Sequence, residues 1–203
     1  MSSLTASFPG ALILRRRIRH RQHSRKRHGA RRRSRLRHVR FAEAGGNGDF
    51  PSGEIRIADS LDVTLIGLDS RSEEFDNLTL TVGMGTKLTL QDVRITGDKT
   101  LLSLAGGNTL TLLGENRLIG CADASGNACP TVISGGDLTI CGSGSLKLQA
   151  LVNNAAFMGA ETSKISIENC LISVFKSDKL GFDGGAFCAN GADLTMTNAT
   201  FLG

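Results

Sequence analysis

A short apolar–polar–apolar triplet recurs five times in this chain, and it constrains the fold more than any other feature of the sequence. The copies are Leu88-Thr89-Leu90, Leu110-Thr111-Leu112, Leu138-Thr139-Ile140, Ile165-Ser166-Ile167 and Leu194-Thr195-Met196. Their first residues are separated by 22, 28, 27 and 29 residues. Spacing in this range indicates stacked units of several short strands, in which each unit buries its inward face against its neighbours.

The segments between the triplets have the composition of strands and tight turns. Apolar residues alternate with polar ones, and turns such as Gly135-Gly136-Asp137 contain Gly, Asn or Asp. No window of ten or more residues has a helical period. These patterns predict an all-β, short parallel β-helix (a β-solenoid) over residues 54–203. A β-sandwich is the alternative, but a sandwich does not require the same turn and triplet to recur at constant phase.

Charge divides the chain into two parts. Residues 1–42 contain 14 of the 24 Lys and Arg, all four His and no Asp or Glu. Residues 43–203 contain 10 basic and 19 acidic residues. The segment 15–40 has too few apolar residues for a helical or strand face, so we predict a disordered basic arm over 1–42. The Gly- and Pro-containing residues 43–53 form the predicted linker.

The arm leaves four interpretations open: an organelle-targeting segment, a nucleic-acid-binding arm, a solubilising tail, or an incorrectly chosen start of the reading frame. Nucleic acid is therefore expected as a partner only through the arm. The residues assigned to targeting or phosphate contacts are Arg15, Arg16, Arg17, Arg31, Arg32 and Arg33. No segment has the roughly 20 apolar residues that cross a bilayer. No secretory signal is recognisable, so the sequence does not specify the compartment.

The five cysteines show no zinc-ligand spacing, because all four His lie in the arm and there is no CxxC pair. Cys121 and Cys129 bracket a polar stretch, and a disulfide between them would fit an oxidising compartment. The alternative is that the cysteines are small apolar residues of the core.

Short motifs in the repeats resemble those of two groups of bacterial proteins. The segments 108–116 and 136–146 resemble carbohydrate-binding domain proteins that form right-handed parallel β-helices, and the resemblance covers roughly residues 77–203. Gly184-Gly185-Ala186-Phe187 and Asn198-Ala199-Thr200-Phe201 are similar to repeats of polymorphic outer-membrane autotransporter adhesins. The first resemblance implies a right-handed β-helix and calcium-assisted binding of acidic polysaccharide outside the cell. The second implies adhesion at the cell surface.

Two acidic turns are the predicted calcium sites, because hard cations prefer carboxylate, amide and carbonyl oxygens. One contains Asp178 and Asp183, and the other contains Asp123 and Asn127. Neither turn matches an EF-hand loop or the calcium-binding nonapeptide. Ordinary turn chemistry is the alternative for both.

Lysines are the predicted contacts for an acidic glycan, because the chain has no Trp or Tyr to stack on a neutral sugar ring. The candidates are Lys147, Lys164, Lys176 and Lys179. These lysines are equally compatible with the surface charge that protects strand edges.

The sequence thus favours a non-catalytic β-helical module that binds carbohydrate, with an acidic polysaccharide and Ca²⁺ as the expected ligands. A structural or adhesin-like solenoid that binds proteins is one alternative. A polysaccharide lyase or hydrolase is another, but residues 43–203 contain no His to act as a base. The last rung, at Gly203, has no recognisable cap. We therefore expect truncation, a protein partner or self-association at that end.

Overall fold

The protein is described by a computed structural model, which defines the backbone of residues 36–40 and the residues 53–67, 74–120, 129–150, 155–176 and 187–202. Within these ranges the chain forms nineteen β-strands and no helix. The described residues accordingly include no helix of the length and apolarity that a bilayer crossing requires.

The strands follow one another in groups of three, with β1 before the first group. Strand β1 is Leu36–Arg40. The first three groups are β2 (Gly53–Ile57), β3 (Asp62–Ile66) and β4 (Phe75–Asp76); β5 (Leu78–Val82), β6 (Lys87–Gln91) and β7 (Arg94–Gly97); and β8 (Leu102–Leu104), β9 (Asn108–Leu113) and β10 (Glu115–Gly120). The next three are β11 (Val132–Ser134), β12 (Leu138–Gly142), β13 (Ser145–Ala150), β14 (Phe157–Met158), β15 (Lys164–Glu168), β16 (Leu171–Lys176), β17 (Phe187–Cys188), β18 (Asp193–Thr197) and β19 (Thr200–Leu202).

Each group of three is one coil, and its strands belong to three different sheets. Sheet B contains the first strand of every coil, sheet A the second and sheet C the third. Every strand pairs in parallel with its counterparts in the neighbouring coils. Sheets B and C have six strands each, and β1 adds a seventh strand to sheet A. Five full turns therefore separate coil 1 from coil 6, and the predicted parallel β-solenoid is confirmed.

All five triplets lie in sheet A, and the structure adds a sixth copy, Val63-Thr64-Leu65, which pairs with Leu88-Thr89-Leu90. The copies do not share one register. Ile140 is paired with Leu110, and Leu138 is paired with Asn108, so the triplet is displaced by two residues between coils 3 and 4. The constant phase predicted from the sequence is wrong at this step. An even displacement is tolerated because it leaves every side chain on the same face of the sheet.

The core consists of columns of inward-facing apolar side chains that run through the coils. In sheet A the central column is Val63, Leu88, Leu110, Ile140 and Ile167, each at most 3% exposed. Sheets B and C add similar columns to the same cluster. No coil could bury these residues alone, so stacking of the coils creates the core.

Two asparagines interrupt the apolar columns where the chain passes between sheets. Asn108 is 2% exposed; its Oδ1 accepts a hydrogen bond from the Gly106 amide (2.7 Å), and its Nδ2 donates to the carbonyls of Gly83 (2.7 Å) and Thr86 (3.3 Å). Asn116 is likewise 2% exposed, accepts from the Val93 amide at 2.9 Å and donates to two backbone carbonyls. In both buried amides the oxygen and each N–H have a hydrogen-bond partner, which offsets the cost of removing the amides from water.

The corner between sheets A and C requires a left-handed backbone in coils 2 to 6. Asp92, Asn169 and Asn198 have φ values of 54°, 55° and 48° there, and glycines occupy the corner in coils 3 and 4. Short polar residues and Gly tolerate this conformation best. At Gly114 (φ 64°) a Cβ would also collide with the Asp92 carboxylate, which accepts a hydrogen bond from the Glu115 backbone amide.

Strand β1 differs from the sequence expectation for the arm. Its residues pair with Asp62–Ile66 and so extend sheet A. The sequence predicts a disordered arm up to residue 42 because the segment has few apolar side chains. The pairing of this edge strand uses backbone N–H and C=O groups, which every residue except Pro supplies in full, so side-chain composition does not reveal it. The predicted arm residues 1–35 lie outside the described part of the chain.

Adjacent residues of β9 provide a test of the stacked core. Leu112 is fully buried, whereas Leu113 is 36% exposed on the opposite face. We expect Leu112→Ala to lower the free energy of unfolding by about 2–5 kcal/mol, because it leaves a cavity in the column. We expect Leu113→Ala to change it by less than about 0.5 kcal/mol. Urea unfolding followed by circular dichroism measures both, and equal effects would contradict the assigned faces.

Candidate functional site

Most of the predicted ligand and metal residues lie outside the part of the chain that the structure describes. These are Lys179, Asp178, Asp183, Asp123, Asn127, Cys121 and the arm residues Arg15, Arg16, Arg17, Arg31, Arg32 and Arg33. Lys176 is the last residue of β16, and its side chain is also outside. The predicted calcium turns, the Cys121–Cys129 disulfide and the arm's partners therefore remain predictions. Lys147 and Lys164 are the predicted ligand residues whose side chains the structure places.

A shallow groove of about 230 Å³ lies on the outer face of sheet A, where the chain enters the sheet from sheet B. It crosses coils 3, 4 and 5. Its lining residues are Gly107, Asn108, Thr109, Asp137, Leu138, Thr139, Lys164 and Ser166. The floor is formed by outward-facing hydroxyl side chains. Successive side chains of a strand point to opposite faces, so Thr139 and Ser166 face outward because their neighbours Leu138 and Ile165 are buried.

Charged groups border the groove on the side of the corner between sheets B and A. The Asp137 Oδ1 accepts a hydrogen bond from the Lys164 amide at 2.8 Å, which fixes the carboxylate between coils 4 and 5. Asp137 and Lys164 are both exposed. Within the described residues the Lys164 ammonium makes no ion pair. The groove thus offers a carboxylate acceptor and an ammonium donor beside a row of hydroxyls.

The hydroxyls of the groove differ in whether they form hydrogen bonds within the protein. The Ser166 hydroxyl donates to the Glu168 Oε1 at 2.7 Å. No hydrogen bond to another described residue is made by the hydroxyls of Thr109 and Thr139, both of which are half-buried. A hydroxyl can donate one hydrogen bond and accept two. Thr109 and Thr139 therefore have hydrogen-bonding capacity available to a ligand.

Sheet C has a different outer face, on which basic residues are stacked. Arg94, Arg117 and Lys147 pair in register in coils 2, 3 and 4. Like charges directly opposite each other destabilise a sheet, and nearby acids offset this. Arg117 contacts Glu74 at 3.0 Å, and Arg94 lies 3.6 Å from Glu115.

Lys147 is stabilised by an aromatic ring. Its Nζ lies 4.6 Å from the centroid of the Phe175 ring, which is 42% exposed. Leu171 and Leu202 are also exposed on sheet C, at 36% and 51%. The structure therefore separates Lys147 from the groove: it lies on another sheet, within a mixed basic and apolar surface.

Among the described residues no three His, Cys, Asp or Glu side chains are grouped so that they could hold a metal ion. No protein-family model, curated protein or solved structure matches the chain. The resemblances to carbohydrate-binding and adhesin proteins accordingly remain predictions from short motifs.

The groove could not be found from the sequence by motif. Thr109, Thr139 and Ser166 are separated by 30 and 27 residues, and each is the kind of polar residue expected in a half-exposed strand. The usable signal is the middle residue of each triplet, but the displacement at coil 4 places Thr139 beside Thr109 and not beside Thr111.

Cys170 is more buried than the other described cysteines, Cys129, Cys141 and Cys188. Cys170 is buried at the corner after β15, and burial together with the neighbouring Cys141 raises the pKa of its thiol. A raised pKa leaves less of the reactive thiolate at a given pH. We expect iodoacetamide at pH 8 to modify Cys170 several-fold more slowly than the half-buried Cys141. Peptide mass spectrometry after a brief exposure measures both rates, with urea-unfolded protein as the control; equal rates in the folded protein would contradict the prediction.

Proposed function

We propose that this protein is a non-catalytic β-solenoid module that binds carbohydrate through the groove on sheet A. One observation carries the proposal: a row of hydroxyl side chains crosses three coils beside an exposed carboxylate and an exposed ammonium group. Ligand sites commonly place a few polar groups in a concave surface, and their hydrogen-bonding pattern sets specificity.

Carbohydrate fits the chemistry of the groove because sugar hydroxyls both donate and accept hydrogen bonds. Thr109 and Thr139 can do the same, while Asp137 accepts and Lys164 donates. A ligand lacking hydroxyls would leave several of these groups without partners once water is displaced. The Lys164 ammonium also supports an acidic sugar, since a carboxylate would form a charge-assisted hydrogen bond with it.

Calcium enters the proposal from the resemblance to carbohydrate-binding β-helices. The residues predicted to bind it, Asp178 with Asp183 and Asp123 with Asn127, lie outside the described part of the chain. A calcium ion held by such carboxylates would attract the carboxylates of an acidic polysaccharide. The ion is therefore a separate variable in the experiment.

The full chain should be tested for retention on polygalacturonate and on neutral polysaccharides such as cellulose, in calcium and then in EDTA. We expect retention on polygalacturonate that weakens in EDTA. Retention unaffected by EDTA would remove calcium from the proposal and leave the groove as the proposed binding site. A folded protein retained on none of the polysaccharides would overturn the proposal.

Substitutions in the groove should weaken glycan binding while the fold persists. We expect Thr139→Val to lower affinity roughly 2–10-fold, which corresponds to the loss of one neutral hydrogen bond. Lys164→Ala should lower affinity for polygalacturonate more than for a neutral glycan. Thr200→Val is the matched control, because Thr200 faces outward on sheet C. Isothermal titration calorimetry gives the constants, and an equal loss in Thr200→Val would place the site elsewhere.

The outer face of sheet C supports a second candidate function, in which the solenoid binds a protein. Leu171, Phe175 and Leu202 are exposed on the same face as Lys147, whose Nζ contacts the Phe175 ring. Aromatic residues are enriched at protein interfaces. Serum and matrix proteins such as albumin, fibronectin and collagen serve as probes in a solid-phase assay. We expect Phe175→Ser to reduce any retention severalfold and to leave glycan binding unchanged. Retention of a probe that Phe175→Ser leaves intact would exclude this face.

A further inference from the structure

Outward-facing hydroxyls of sheet A form a column that continues beyond the groove. Thr109 pairs with Thr139, Thr139 with Ser166, and Ser166 with Thr195. Neighbouring strands in a sheet lie about 4.8 Å apart. Four hydroxyl side chains in coils 3 to 6 are therefore aligned over about 14 Å parallel to the solenoid axis.

The column has a defined beginning, and the neighbouring outward column does not repeat in the same way. Lys87 precedes Thr109 in register, so the hydroxyl run begins in coil 3. The neighbouring column reads Thr111, Cys141, Glu168 and Thr197 over the same coils. The repeated chemistry of sheet A is thus directed along the axis, whereas a single strand presents at most two outward hydroxyls.

We infer that a linear polysaccharide lies along the solenoid axis, across the strands, in the groove and beyond it to Thr195, with one hydroxyl contact from each of coils 3 to 6. This inference rests on the proposed carbohydrate function and specifies the class of ligand: an extended polymer and not a single sugar. A monosaccharide reaches the hydroxyl of one coil or two. A polymer contacts one further coil for about every 4.8 Å of its length, until it passes Thr195.

The first test is the dependence of affinity on ligand length. Titration calorimetry of the full chain with oligogalacturonides of one to eight residues, and with cello-oligosaccharides as the neutral series, gives each constant. We expect affinity to rise roughly 2–10-fold with each further coil that is contacted, and to level off once the ligand spans about 14 Å. Equal affinity for the monosaccharide and the longest oligomer would overturn the inference while leaving the carbohydrate function. Absence of binding by both polymers and all oligomers would overturn the function and the inference with it.

The second test separates the two orientations of the ligand. Thr109→Val with Thr195→Val removes hydroxyls three coils apart in one column, and Thr109→Val with Thr111→Val removes both outward hydroxyls of one strand. For the octamer, an axial ligand predicts that the first pair lowers affinity by a further 2–10-fold beyond Thr109→Val alone, or roughly 4–100-fold in all. The second pair is expected to lower affinity no more than Thr109→Val alone. The reverse order would show a ligand that follows the strand and would overturn the inference.

These substitutions change exposed or half-buried side chains, so the fold is expected to persist, and thermal unfolding checks this. Ser166→Ala provides an independent step in the middle of the column should a double variant unfold. Ser166→Ala should lower the affinity for the octamer severalfold and leave the affinity for the monosaccharide of the same series nearly unchanged. A change of the same size for both ligands would contradict an axial polymer.

Discussion

The structure depends on in-register parallel pairing between coils. A coil exposes one strand of each sheet, and its inward side chains are buried only because the next coil places similar residues directly above them. The columns from Val63 to Ile167 and their counterparts in sheets B and C follow from this pairing. Apolar burial is the main favourable contribution, and the backbone ladders fix where it occurs. Stability and register are therefore inseparable in this fold.

The polar exceptions in the core show how strongly the register constrains the chain. Asn108 occupies the inward position opposite Leu138, at the step where the triplets are displaced by two residues. The amide is acceptable there because the corner between sheets B and A supplies a donor and two acceptors at hydrogen-bonding distance. Asn116 does the same at the corner between sheets A and C. The buried amides thus fix the conformation of these corners, because hydrogen bonds are directional and apolar contacts are not.

The sequence predicts strands, turns and the stacked architecture because alternation and turn residues are local properties. It does not predict the displacement between Leu110 and Leu138, because an even displacement leaves the alternation of faces intact. It also misses the sixth triplet at Val63, whose spacing to Leu88 is like the others but which lacks a second alternating stretch nearby. The groove is a product of register: Thr109 and Thr139 become neighbours only through pairing, and no motif marks them. Lys147 was predictable as an exposed cation, but its contact with Phe175 was not.

The same register that stacks the core also stacks the surface, so each outer face has its own periodic chemistry. On sheet A the stacked residues from Thr109 to Thr195 are small and uncharged, and the repeated element is a hydroxyl. On sheet C the stacked residues from Arg94 to Lys147 are cations, and acids or an aromatic ring must offset their repulsion. The cations of sheet C are engaged by acids or an aromatic ring within the protein. In the hydroxyl stack Ser166 donates to Glu168, whereas Thr109 and Thr139 make no hydrogen bond to another described residue and are available to a ligand. Sheet A is for that reason the face on which we propose that a periodic ligand binds, and the strand spacing would set the distance at which such a ligand repeats.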